Sequence, residues 1–260
     1  MSATGAPLLV ALGEYDIGWH DADTSLRRAD ELVQRAAGAG ARLVLLPEMT
    51  ATGFTMDPAQ ATAPDGPHVQ ALARSAARAG AWVLAGLALR DGSSGGARPV
   101  NAALLFDPTG ATAATYRKQR LFAYGEEHAH YAPGDRPVTV NVEGVRVSPF
   151  ICYDLRFPEL FRAVARETDL IAIVANWPAS RRAHWDLLVR ARAVENLAFV
   201  AAVNRIGQGG KLAYDGGSAA YDPWGERLCD ARPEAGVQIV EVDPARVAAT
   251  RERYPFLDDM

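Results

Sequence analysis

Four segments of the chain repeat one pattern: apolar residues at helical spacing, a short break, then an aliphatic run that stops at polar residues. "DTSLRRADELVQRAAGAG" carries Leu26, Ala29, Leu32, Val33 and Ala36 on one helical face, with Asp23 or Thr24 as its cap and glycines at its end, and leads into "ARLVLLPE". "PHVQALARSAARAG" leads likewise into "AWVLAGLAL", "FPELFRAVARET" into "DLIAIVANWP", and "AHWDLLVRARAVEN" into "LAFVAAVNR". Aliphatic runs without polar alternation predict strands buried on both faces, in sheets covered by helices.

Other segments break the pattern. "VNAALLFDPTGATAATYRK" turns at "DPTG", "VTVNVEGVRVSPFI" at "EG" and "SAAYDPWGERLCD" at "DPWG", so each predicts a hairpin, and Cys229 reads as a strand residue after the last turn. Hairpins mixed with helix and strand repeats disfavour a purely parallel barrel or a doubly wound sheet. A layered α/β sandwich of two mixed sheets with helices outside accommodates both. The glycine-rich stretch "GQGGKLAYDGGS" (207–218) fits neither a phosphate loop nor a dinucleotide fingerprint and reads as a surface loop.

Composition narrows the function. With 260 residues, 49 % of them hydrophobic, the chain buries a large core, and a single domain over 1–260 is expected. A net charge of -4 without a block of like charge offers no footprint for nucleic acid or an anionic membrane, which favours a small-molecule role. The N-terminal "MSATGAPLLVALGEYDIGWHD" lacks the features of a secretory signal, and no run reaches the length of a membrane span, so a cytoplasmic location is expected. In that compartment Cys152 and Cys229 are expected as free thiols.

In open α/β sheets, functional groups gather just past the carboxyl ends of strands. There "ARLVLLPE" delivers Glu48, "ATAATYRKQR" delivers Lys118, "VRVSPFICYD" delivers Cys152, and "DLIAIVANWP" delivers Asn176 and Trp177. Taken singly, Cys152 reads as a small buried hydrophobe, Glu48 as a turn cap and Lys118 as part of a solvated basic face. Together they are a carboxylate, an ammonium and a thiol, each at the end of a rigid run.

The segments "LLPEMTATGF", "YRKQRLF" and "ICYDLRFPEL", continued by "VANWPASRRAHWDLLVRARAVENLAFVAAVNR" and "AAYDPWGE", resemble the nitrilase, or carbon-nitrogen hydrolase, superfamily over nearly the whole chain. The resemblance implies a four-layer αββα sandwich, homodimerisation, no cofactor and no metal, and a catalytic triad of Glu48, Lys118 and Cys152. It also implies a second glutamate before the "PGD" turn. Glu126 and Glu127 both qualify, and the spacing to Pro133 and Gly134 favours Glu127. Around the cysteine the sequence is most similar to the bacterial ω-amidase branch, which hydrolyses 2-oxoglutaramate or 2-oxosuccinamate to a 2-oxo acid and ammonia. Deaminated glutathione amidases and N-carbamoyl hydrolases of the same superfamily are the alternatives.

The chemistry explains the residue types. Amide hydrolysis becomes easier when split into formation and hydrolysis of a thioester, with Cys152 as nucleophile. A nearby carboxylate raises the thiol pKa by charge and an ammonium opposes it, so Glu48 is expected as the proton shuttle. Lys118 and the Tyr153 backbone N–H are expected to face the oxyanion, and Glu127 to orient Lys118 or the substrate amide. The substrate carboxylate needs a cation, for which Arg156 is the candidate, although pairing with Glu159 would give it a structural role instead. Phe54, Tyr124 and Trp177, beside Asn176, are candidate pocket residues.

Three rivals fit less well. "EEHAHY" places Glu127, His128 and His130 together, but no second cluster completes a metal site, and a solvent-facing loop explains it. A cysteine-histidine hydrolase needs a histidine at a strand end, whereas His184 begins a helix. A silent scaffold of the same fold would have no reason to keep the triad.

Overall fold

A computed structural model describes residues 6–90, 98–229 and 236–260. The first half runs β1 (Leu8–Gly13), α1 (Ala22–Gly38), β2 (Leu43–Leu45), α2 (Pro67–Ala79), β3 (Trp82–Leu89), β4 (Val100–Phe106) and β5 (Thr112–Arg117). A single-turn helix, α3 (Glu127–His130), leads to β6 (Val140–Val142), β7 (Val145–Ile151), α4 (Pro158–Arg162), β8 (Leu170–Ala175), α5 (Arg182–Asn196) and β9 (Phe199–Asn204). The chain then forms β10 (Ile206–Gly209), β11 (Leu212–Asp215), β12 (Ala219–Tyr221), β13 (Val237–Val242) and α6 (Pro244–Arg253).

Two mixed sheets result, ordered β13-β1-β2-β3-β4-β5 and β12-β9-β8-β7-β6. Within them β1, β2 and β3 are mutually parallel, as are β7, β8 and β9, while the outer strands pair antiparallel. Strand periodicity divides the apolar residues between layers. Leu8, Val10 and Leu12 of β1, with Leu43 and Leu45 of β2, point into the core shared with the second sheet. Ala11 and Val44 point the other way, against Leu32 and Val33 of α1 and Leu72 of α2. On the far side α5 packs on β9 and β12. Helices therefore flank two facing sheets, the αββα sandwich implied by the resemblance.

The hairpins at "DPTG" and "EG" form as read. In the second, Glu143 and Gly144 both adopt left-handed φ, of 50° and 95°, as a two-residue turn requires. Four local readings change. The cap of α1 is Asp21, whose side chain accepts from Thr24 N–H at 3.1 Å, so Asp23 and Thr24 lie inside the first turn. "FPELFRAVARET" splits into α4 and a 3-10 turn (Ala165–Glu167), because Thr168 Oγ1 and the Glu167 N–H both take the Val164 carbonyl. After "DPWG" the described residues form one bridge, Tyr221 to Arg227, and Cys229 lies in a bend instead of a strand. The glycine-rich stretch is not a plain loop: β10 and β11 form an antiparallel ribbon outside both sheets. The residue just before it braces it. Buried Arg205 donates to the Ile206 and Gln208 carbonyls at 3.0 and 2.7 Å and lies 4.6 Å from the Tyr214 ring.

Candidate active site

The strands β2, β5, β7 and β8 end at one edge of the sandwich, and their first irregular residues converge there. Lys118 directly follows β5, Cys152 directly follows β7, and Asn176 and Trp177 follow β8. Glu48 lies three residues past β2. The Glu48 backbone crosses so close to β3 that a Cβ on Gly86 would sit 2.5 Å from Glu48 Cα. Glycine is therefore required there, and Glu48 reaches its place only because that side of β3 is bare.

At the base of the site two carboxylates share one ammonium. Lys118 Nζ donates to Glu48 Oε1 at 2.8 Å and to Glu127 Oε1 and Oε2 at 3.0 and 2.9 Å. Asn101 Nδ2 bridges the same two carboxylates, at 2.7 and 2.8 Å. Glu48 Oε2 accepts the Asn176 backbone N–H at 2.9 Å, and Glu127 Oε2 accepts the Phe122 N–H at 2.6 Å. All three charged side chains are at most 1 % exposed, so each depends on these partners. Glu127 is the buried member of its pair, whereas Glu126 is exposed at a left-handed φ of 60°. Gly134 of the "PGD" turn closes this region, its N–H donating to the Lys118 carbonyl at 2.8 Å.

Cys152 opens a 3-10 turn (Cys152–Arg156) with φ at +43°, a left-handed conformation that is costly for a residue with a Cβ. Such a turn lifts a side chain off the line of the strand. Burial pushes the thiol well above its usual pKa, and the Glu48 charge pushes the same way, against Lys118 and the Asn176 amide. For Lys118, burial alone would lower the pKa. The charges of Glu127 and then Glu48 outweigh it and hold the amine protonated.

Cys152 and Lys118 line a pocket together with Phe54, Tyr153, Arg156, Asn176 and Trp177. Tyr124 is not among its walls: it is 88 % exposed and lies tilted against Phe122, 5.9 Å between ring centroids, and the Phe122 ring takes the wall position. Arg156 does not pair with Glu159. Its guanidinium lies 4.9 Å from the Trp177 ring and 3.1 Å from His184 Nδ1, while Arg120 takes Glu159 at 3.5 Å. Sequence reasoning missed Arg181, Leu212 and Tyr214, which complete the rim. It also missed Asn101, whose only signal is a polar residue inside the apolar run "VNAALLF". "EEHAHY" forms the helical turn α3 over Glu127–His130 instead of a loop; Glu127 and Tyr131 are buried, and neither histidine is. Among the described residues no cluster of three His, Cys, Asp or Glu side chains is placed to hold a metal.

Comparison with known proteins identifies this arrangement. The carbon-nitrogen hydrolase family matches residues 9–252. The chain belongs to that family. As a carbon-nitrogen hydrolase it is 35 % identical to the Omega-amidase YafV of Escherichia coli K12 over 254 residues, covering 97 % of this chain and 96 % of the relative. It is 32 % identical to the 2-oxoglutaramate amidase of Bacillus subtilis over 251 residues, with 95 % of each chain covered. Among solved structures, XC1258 from Xanthomonas campestris, a CN-hydrolase superfamily protein with an arsenic adduct in its active site, superposes with a TM-score of 0.91 at 37 % identity. That match covers 98 % of this chain and 97 % of the other. The enzyme is thus a hydrolase of carbon–nitrogen bonds on an αββα scaffold.

Proposed function

We propose that this hydrolase is an ω-amidase: it cleaves the terminal amide of a small 2-oxo acid, 2-oxoglutaramate or 2-oxosuccinamate, releasing ammonia and the 2-oxo dicarboxylate through a thioester on Cys152. The observation that carries the reading is the buried Glu48–Lys118–Glu127 cluster beneath a pocket that Cys152 enters from a left-handed turn.

Cys152 Sγ attacks the amide carbonyl as Glu48 takes the thiol proton, which avoids a free thiolate beside two carboxylates. The oxyanion faces the Lys118 ammonium and the Tyr153 backbone N–H, and loss of one such donor costs roughly 3 kcal/mol in comparable sites. Glu48 passes the proton to the departing nitrogen, the C–N bond breaks, and ammonia leaves. Water then attacks the thioester with Glu48 as base, the C–S bond breaks, and the thiol recovers its proton. Glu127 fixes Lys118. Phe54, Phe122 and Trp177 supply apolar walls, and Asn176 holds Glu48 through its amide.

The far carboxylate of the substrate meets Arg156, with Arg181 beside it. Among the described residues no carboxylate pairs with either arginine, so the rim carries uncompensated positive charge suited to an anionic amide. The same reading takes the chain as one domain, cofactor-free and cytoplasmic. A homodimer is supported by the exposed apolar residues Leu187 and Val194 of α5 with Trp224 and Phe256. No helix among the described residues is long and apolar enough to cross a membrane.

The test is an ammonia-release screen of 2-oxoglutaramate, 2-oxosuccinamate, deaminated glutathione, glutamine and N-carbamoyl compounds, with Cys152→Ala as control. The 2-oxo acid amides should give the highest kcat/KM. Preference for deaminated glutathione or a carbamoyl compound would reject the ω-amidase assignment, and activity retained in folded Cys152→Ala would reject the mechanism.

A further inference from the structure

Asp154 lies two residues beyond the nucleophile, has no exposed surface, and takes no part in the chemistry above. Its carboxylate nevertheless accepts three hydrogen bonds from two separate segments. Oδ2 takes the Ile151 N–H at 3.0 Å and the Tyr116 hydroxyl at 2.8 Å, and Oδ1 takes the Arg120 N–H at 2.9 Å. Ile151 immediately precedes Cys152. Tyr116 and Arg120 flank Lys118, two residues to either side. One side chain therefore bridges the residue before the nucleophile and both flanks of the ammonium, across the junction of the two sheets.

The bond to Ile151 spans the left-handed turn at Cys152 and closes it from below. A strained backbone persists only where its surroundings over-determine it, and here the surrounding bond is supplied by Asp154. The side chain type follows from the donors. Three groups donate inward, so an acceptor-only carboxylate satisfies them all, whereas an amide would turn its NH2 toward one of them. Burial raises the Asp154 pKa to about 6, against the pull of Lys118 and the N–H donors, so the charge is kept at an electrostatic cost.

We propose that Asp154 is a positioning residue that locks the turn carrying Cys152 to the strand end carrying Lys118, so that nucleophile and oxyanion donor share one rigid frame. This rests on the reading of Cys152 as nucleophile and adds a residue to it.

The test uses the full chain with Asp154→Asn and Tyr116→Phe, measuring kcat and KM on 2-oxoglutaramate and the rate of Cys152 alkylation by iodoacetamide, followed by mass spectrometry. Small displacements of reacting groups cost up to about a hundredfold, so Asp154→Asn should lower kcat about tenfold to a hundredfold with KM within about threefold. Cys152 alkylation should slow as well. Tyr116→Phe removes one of the three bonds and should lower kcat about threefold to tenfold at unchanged KM. A purely structural carboxylate would instead lower the melting temperature and leave kcat per folded molecule intact. Wild-type kcat in folded Asp154→Asn overturns the proposal. If that variant does not fold, wild-type kcat in Tyr116→Phe overturns it. The comparison is made against a wild type whose ammonia release depends on Cys152, so failure of the tether leaves the ω-amidase reading standing. A wild type inactive on every amide rejects that reading instead, and the alkylation rates then decide the tether alone.

Discussion

Strands β2 and β7 belong to different sheets and are tied together near both ends, in opposite ways. Before they begin, Arg42 meets Glu143 of the β6–β7 turn at 2.6 Å, with 47 % and 35 % of the two side chains exposed. After they end, Glu48 lies in the buried cluster with Lys118 and Glu127, close enough for its charge to raise the Cys152 thiol pKa. The exposed pair is screened by water and contributes about 0.2–1 kcal/mol. The buried cluster costs desolvation for every charge it holds, and a well-packed apolar replacement would serve stability as well or better. The difference teaches what each tie can do: the first adds a small increment of stability, and the second, which stability does not explain, is the one the proposed mechanism uses.

That contrast can be broken at several points. The largest effect belongs to Cys152→Ala, which should remove at least about a thousandfold of turnover while leaving the melting temperature near wild type, checked by ammonia release and calorimetry. Lys118→Met should abolish turnover and also cost about 3–5 kcal/mol in urea unfolding, because two carboxylates are left facing one another without their cation. In Glu48→Gln, turnover should be lost while the thiol becomes more acidic. Glu48 raises the Cys152 pKa by its charge, so removing that charge should shift the pH midpoint of iodoacetamide alkylation downward; an upward shift would contradict the electrostatics described. Arg42→Ala should cost about 0.2–1 kcal/mol, an effect that salt diminishes, with kcat unchanged. Dialysis against a chelator should change nothing.

Asp154 adds a pH signature of its own. Its folded pKa, about 6, lies above that of an unfolded aspartate, so the native state binds the proton more tightly. Its contribution to stability is present in full below the unfolded pKa and is lost as pH rises through about 6. Relative to Asp154→Asn, wild type should lose melting temperature over that interval.

What could be read from the sequence is what local pattern controls. Aliphatic runs and helical spacing gave the layers, and turn residues gave two hairpins. The ends of apolar runs picked out the positions of Glu48, Lys118 and Cys152. Asn101 and Asp154 stayed hidden because each is a single polar residue within or beside an apolar run. Their partners come from 26 to 53 residues away for Asn101 and, apart from the nearby Ile151, from 34 to 38 for Asp154. Tyr124 and Phe122 are two positions apart in one irregular segment, where no period says which ring faces inward. The β10–β11 ribbon was read as a loop because its strands carry no apolar alternation; it is braced by Arg205, directly before β10, against the Ile206 and Gln208 carbonyls and the Tyr214 ring of β11, contacts that no period announces.

That ribbon has a consequence for how such an enzyme diversifies. Leu212 and Tyr214 reach the rim from a flap belonging to neither sheet, whereas Cys152, Lys118 and Glu48 sit at the ends of strands that cannot shift without disturbing the core. Part of the pocket wall can therefore vary on a piece of chain separate from the strand ends that carry Glu48, Lys118 and Cys152, whereas Arg156, in the turn that Cys152 opens, cannot vary without touching that turn.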